Sequence, residues 1–254
     1  MQQRRRLEAA LAVLSDEEWH HPSRCEGWTV QDVVTHLVST NGFWALSIRS
    51  GLAGEPTRFL GAFDPVATPA QLVDKEQGTP VADTLEQLVT SNDALGDAVA
   101  ALDDGGWNAI AEAPPGHVPI RLVADHALWD AWVHERDILL PLERTPVEDP
   151  DEVLTSLRYG AGLGRAFELC AGSAGPGVVV LIGHDPDVEL VVSVDRDVVR
   201  VHDGPVPEGA VRCEGPAVEL LEMLSTRDVG RPVPAEIGLL TAGLATVFDQ
   251  PSPV

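Results

Sequence analysis

The sequence predicts an α+β protein, with an N-terminal four-helix bundle followed by a small α+β domain whose sheet is mostly antiparallel. Three observations predict it. Apolar residues recur at helical spacing through the first part of the chain. All six tryptophans (Trp19, Trp28, Trp44, Trp107, Trp129, Trp132) fall in that part, whereas β-branched runs concentrate after Gly177. Between the two lies Pro141–Pro150, where Pro141, Pro146 and Pro150 sit among charges, the composition of a linker. The boundaries that follow are a bundle over 1–145 and an α+β domain over 151–254.

The bundle elements rest on local signals. Leu7, Leu11 and Leu14 mark a helix over Arg4 to Leu14, and Ser15 with Glu18 is a capping-box pattern. Gly27-Trp28 breaks the chain. Thr29 then reads as an N-cap with Asp32 three positions on, ahead of Val33, Val34, Leu37, Val38 and Trp44 at helical spacing. Residues 51–80 carry Gly, Pro and Asp throughout and read as a long loop with short helical pieces. A helix over about 81–102 follows. Pro114, Pro115 and Pro119 precede the last long helix, Ile120 to Leu140. Four helices with one long crossover make a bundle. The second part opens with a helix over about 151–171. Strands follow at Gly177–Gly183, Val188–Val194 and Arg196–His202, with a turn at His184–Asp187. A short strand near Val211–Cys213 and a helix near Pro216–Ser225 complete it.

Composition excludes several classes. Lys and Arg number 17 against 40 Asp and Glu, a formal charge of −23, which repels nucleic-acid backbones and anionic membranes. No segment reaches the roughly 18 apolar residues that a membrane span needs. The Arg4-Arg5-Arg6 start followed by Leu7 to Leu14 is too short and too polar for a secretion signal, so a cytoplasmic location is expected. Three cysteines without a C-x-x-C pair give neither a zinc ribbon nor a disulfide framework. Cys25 precedes a helix N-terminus beside Arg24, which lowers a thiol pKa, while Glu26 opposes that; it reads as structural or incidental. Cys170 and Cys213 read as buried. There is no G-x-S-x-G, Walker A or dinucleotide fingerprint. Gly160-Ala-Gly162-Leu-Gly164 follows no strand, so it is no phosphate loop.

Chemistry concentrates on the helix over Ile120–Leu140. His126, Asp130 and His134 form an i, i+4, i+8 series on one face, and Asp137 falls in the same sector. A bundle site draws ligands from facing helices, and His36, beside the apolar stripe of its own helix, is the outside candidate. Two imidazoles and one carboxylate fit zinc with an open position, and equally non-haem Fe(II). The bland readings are a satisfied core histidine for His36 and an ordinary ion pair for Asp130 and His134. Asp137 has three readings: a pair with Arg136, a pair with Arg121, or a bond to a metal-bound histidine. His20, His21, His117, His184 and His202 sit in turn-like or exposed contexts and receive no role.

Two segments carry a family resemblance. Leu14-Ser-Asp-Glu-Glu-Trp19, with Pro22-Ser-Arg-Cys-Glu-Gly-Trp-Thr-Val30 and Asp32-Val-Val-Thr-His36-Leu37, resembles the opening of mycothiol-dependent maleylpyruvate isomerase-like proteins, within the DinB-like metal-binding four-helix bundles. Asp130-Ala-Trp-Val-His134-Glu-Arg-Asp137 is similar to the family's second segment, with Asp130 in place of the more usual Glu. A looser match, Val211-Arg-Cys-Glu-Gly-Pro-Ala217 with Leu220, Leu221 and Arg231, extends into the second part. The resemblance implies a divalent metal, zinc first, held by His36, Asp130 and His134, with His126 as a possible substitute for Asp130. It makes Asp137 the candidate catalytic group, orienting or polarising a ligand. It also implies mycothiol as cosubstrate and a small electrophilic substrate, undergoing isomerisation or thiol transfer. The partners expected are therefore small molecules, with the chain a monomer or homodimer. A metal-dependent hydrolase and a non-catalytic metal- or ligand-binding protein are the alternatives.

Overall fold

The structure is a computed structural model that describes residues 1–62, 64, 67–175, 177–195 and 198–248. It is α+β and divides into two compact units, Met1–Val147 and Glu148–Val254.

In the first unit, α1 (Gln2–Leu11) leads through the short α2 (Asp16–Trp19) to α3 (Val30–Leu52). The predicted Ser15–Glu18 capping box forms, and the predicted Thr29 N-cap proves to be a second box with Asp32. Ser15 and Glu18 exchange bonds at the start of α2, and Thr29 and Asp32 do the same at the start of α3. Each satisfies amides that the first helical turn leaves without partners. α4 (Ala67–Lys75) is a helical piece in the stretch read as a long loop with short helical pieces. α5 (Val81–Ala100) follows, then a hairpin of β1 (Ile110–Ala113) and β2 (Gly116–Pro119), then α6 (Ile120–Leu139). The hairpin turns at the Pro114-Pro115 pair that the sequence marked only as punctuation.

Two apolar clusters hold this unit together. One joins Leu7, Leu11, Val33 and Val34 to Leu88 and Ile138. The other joins Trp44 and Ile48 to Leu95, Ile120 and Val123. The beginning of α3 thus meets the end of α6, and the end of α3 meets its beginning, so the two helices run antiparallel. Between the clusters lies a polar layer containing Thr40, Asn41, Asn92, Asp130 and His134. Asn41 Nδ2 donates to Asn92 Oδ1 there at 2.8 Å, as a buried amide must.

The second unit opens with α7 (Pro150–Cys170), capped by Asp149, whose carboxylate accepts from the amides of Asp151 and Glu152. Its sheet is β3 (Gly177–His184), β4 (Val188–Asp195), β5 (Val198–His202) and β6 (Val211–Pro216), in the order β5-β4-β3-β6. β3, β4 and β5 are antiparallel and β6 runs parallel to β3, which matches a mostly antiparallel sheet. Positions 196 and 197 of the third expected strand lie outside the described residues. α8 (Ala217–Leu224) and α9 (Ala235–Phe248) follow. The Gly160–Gly164 run lies inside α7, where Gly164 meets the Leu240 carbonyl of α9 so closely that no Cβ fits. Cys213 is buried, but Cys170 is exposed, contrary to the sequence reading, because α7 ends there at the surface. Among the described residues, no helix is long and apolar enough to cross a membrane.

Candidate metal centre

The Thr29–Asp32 box starts α3, and His36 lies one turn beyond Asp32. On α6, Asp130 and His134 are a turn apart on the same face. The antiparallel packing brings the two sets together. Asp130 Oδ1 lies 3.8 Å from His36 Nε2 and 3.5 Å from His134 Nε2. The two imidazoles meet edge to face with centroids 4.9 Å apart. Thr40, one turn beyond His36, donates its hydroxyl to Asp130 Oδ2 at 3.2 Å. One carboxylate oxygen is therefore anchored and the other faces two imidazole nitrogens. The three side chains keep 11–13% exposure, so the cluster is nearly enclosed yet reachable.

The other face of His134 is also fixed. Its Nδ1 lies 3.0 Å from Asp137 Oδ2, and Asp137 is fully buried. The Cys25 thiol donates to the same Oδ2 at 3.3 Å. The Asp137 backbone carbonyl accepts from the amide of Arg24 at 3.0 Å. With Nδ1–H committed to Asp137, the Nε2 lone pair is the one offered to a cation, the arrangement of a histidine ligand oriented by a carboxylate.

Electrostatics agree with the geometry. Burial alone would raise the Asp130 pKa, but the imidazoles of His36 and His134 hold it well below the usual carboxylate range, so it is ionised. Burial would lower the His134 pKa; the bonds to Asp137 and Cys25 and the charge of Asp130 outweigh it and push it up to about 10. The buried Arg4 guanidinium, bonded to the Ala127 carbonyl at 2.8 Å, adds a positive charge near Asp130.

The donor set suits a divalent cation. Donor atoms about a tetrahedral zinc, with bonds of about 2.0–2.1 Å, lie roughly 3.3–3.4 Å apart. The separations between Asp130 Oδ1 and the two imidazole nitrogens, 3.5 and 3.8 Å, are within a few tenths of an ångström of that. His36, Asp130 and His134 each offer a ligand atom within 4.8 Å of the others. Cys25, His134 and Asp137 form a second such group, but there Nδ1–H and the thiol already serve Asp137.

His126 does not join either group. It packs between Trp44 and Trp129, with ring centroids 4.7 and 5.3 Å away. Burial first, with some help from the His36 charge, pushes its pKa down to about 4 against the pull of Asp130. Asp137 turns to His134 and Arg24, while Arg121 bonds Asn108 and Arg136 stacks on Trp132. A polar cavity of about 340 Å³ lies beside the start of α3, lined by Asp16, Asp32, Thr35 and Glu76, and does not include the three candidate ligands. The sequence reading assigned no role to Thr40, took Cys25 as structural or incidental, and weighed Arg24 only as its neighbour. Thr40 was findable, being four positions from His36 on one helix face.

Residues 1–139 match the family of the mycothiol maleylpyruvate isomerase N-terminal domain. The chain belongs to this family. Among solved structures, it is similar to a mycothiol-dependent maleylpyruvate isomerase, with a TM-score of 0.63 at 15% identity over 92% of this chain and 91% of that one. It is similar also to a histidine-to-alanine variant of such an isomerase, with a TM-score of 0.61 at 15% identity over 91% and 92%. At that identity the likeness speaks for the fold. No curated protein sequence matches the chain. Family membership thus agrees with the α+β fold and with the resemblance carried by the two segments around His36 and His134.

Proposed function

We propose that the chain is a metal-dependent enzyme that uses a low-molecular-weight thiol, mycothiol by family, to isomerise or transfer the thiol to a small electrophilic molecule. The observation that carries this reading is the convergence of His36, Asp130 and His134, with Asp137 behind His134. His36 and His134 would hold the ion through Nε2 and Asp130 through Oδ1, with zinc the first expectation. A divalent ion held there would lower the pKa of a nearby thiol and so supply thiolate at neutral pH.

The chain's residues set the conditions for that chemistry. Thr40 fixes the Asp130 carboxylate, leaving Oδ1 for the ion. Asp137 keeps the Nδ1 proton on His134 and raises the basicity of the ring. The near-enclosure of the three side chains limits water. In the isomerisation, the thiolate adds to the activated double bond of the substrate to give a carbanion, the resulting single bond rotates, and elimination breaks the new C–S bond, expelling the same thiolate and leaving the trans alkene. No oxidant or reductant is consumed.

The test is elemental analysis of the purified protein, followed by a substrate screen with and without added thiol. The expected result is about one divalent ion per chain and thiol-dependent turnover, with His36→Ala losing the ion while keeping its circular dichroism. Turnover that ignores thiol would favour a hydrolase using activated water. Unchanged metal content in His36→Ala would reject the site.

A further inference from the structure

The connection between α2 and α3 is a closed turn. The Trp28 amide donates to the Cys25 carbonyl at 3.0 Å, and the Ser23 amide and hydroxyl donate to the Trp28 carbonyl at 2.9 and 2.8 Å. The Cys25 amide donates to Ser23 Oγ at 3.1 Å. Gly27 has φ +76°, the left-handed conformation that the third position of such a turn takes and that glycine adopts freely. Pro22 and Thr29 bridge across its base.

From this frame the loop reaches both helices that carry the candidate ligands. The Arg24 amide holds the Asp137 carbonyl, the Arg24 Nε lies 3.9 Å from Asp137 Oδ1, and Cys25 Sγ lies 3.3 Å from Oδ2. Cys25 Sγ is also 3.8 Å from His134 Nδ1. On the other side, the Trp28 ring lies 5.5 Å from that of His36.

We infer that residues 23–28 form a clasp over the centre, in which Cys25 is a positioning residue that fixes the Asp137 carboxylate and, through it, the ring of His134. The terminal torsion of an aspartate is broad, so a carboxylate with one donor is free to turn. Here Oδ2 serves two donors, the His134 ring and the Cys25 thiol, while Arg24 faces Oδ1, and together these set its plane. A thiol is a weak donor, so its share is smaller than that of Asp137 itself. The zinc part of the argument rests on the function proposed above; the ring orientation does not.

The test uses the full chain as Cys25→Ala, Cys25→Val and Cys25→Ser. Two quantities are measured: the zinc dissociation constant by chelator competition, and the His134 Nδ1–H proton resonance in the metal-free protein, assigned by its loss in His134→Gln. The expected result is that Ala and Val weaken zinc binding roughly three- to tenfold, below the roughly 10–100-fold typical of direct partners of a metal-bound histidine. Both also shift or broaden the ring N–H signal, and Ser restores both quantities. If Val keeps wild-type zinc affinity and ring signal and only the melting temperature falls, Cys25 is packing and the clasp is overturned. If the wild-type protein takes up no zinc, the metal reading fails separately. The ring signal then decides: a signal moved by Ala and Val supports the clasp, and one unchanged refutes it.

Discussion

Replacing Asp137 separates orientation of a ligand from ligation itself. Asp137 does not belong to the group of three candidate ligands, yet it is fully buried, 3.0 Å from His134 Nδ1 and 3.3 Å from the Cys25 thiol. In Asp137→Ala the ring loses its anchor and its basicity, and the thiol loses its acceptor. The loss of a carboxylate behind a metal-bound histidine typically weakens metal binding about 10–100-fold, or about 1.4–2.7 kcal/mol. The metal-free fold should suffer as well, because breaking a buried pair on one side costs about 3–5 kcal/mol. Asp137→Asn keeps an oxygen for Nδ1–H and drops the charge, so its zinc affinity should fall by less, roughly tenfold. Chelator competition gives the affinities and urea denaturation of the metal-free proteins gives the stabilities. An Asp137→Ala variant that binds zinc within twofold of the wild type would refute the reasoning, since His134 would then need no carboxylate behind it.

Three further outcomes follow from the same geometry. Thr40→Val removes the hydroxyl that holds Asp130 Oδ2 at 3.2 Å and keeps the shape; a hydrogen bond to a charged group is worth about 1.5–3 kcal/mol, so zinc affinity should fall roughly tenfold or more, read by the same competition. The metal-free protein should lose stability as pH rises. His134, pushed from 6.5 to about 10, binds a proton in the folded state that the unfolded chain releases, so its stabilisation is complete below pH 6.5 and gone above about 10. His126 acts in the opposite direction: held down to about 4, it destabilises the fold as pH falls from 6.5 through 4. Urea midpoints across pH with chelator present check both slopes, and a flat profile contradicts them. Zinc affinity should instead climb with pH up to about 10, because the ion must displace the His134 proton.

What the sequence made legible was what is local. The Ser15–Glu18 box and the Thr29 N-cap each span three residues, and both form, the second as a full box with Asp32. Asp130 and His134 announce a shared face through their spacing, but spacing cannot say what faces them; His36 came from the apolar stripe and the family resemblance. Cys25 was read as structural or incidental; its contact with Asp137, 112 positions away, is one that no local rule predicts. His126 looked equal to Asp130 on the helix wheel, and packing against Trp44 and Trp129 set it apart. The hairpin over 110–119 was hidden by its prolines. Helix α9 was not called at all; within it, Gly243 is where α9 lies against the Gly164 backbone of α7.

The most direct test is X-ray absorption at the zinc edge on thiol-free, zinc-loaded protein. A zinc ion on His36, Asp130 and His134 predicts a shell of nitrogen and oxygen at about 2.0–2.1 Å with two imidazoles and no sulfur. A sulfur scatterer at about 2.3 Å that vanishes in Cys25→Ala would contradict it, because the ion would then sit on the Asp137 side of His134.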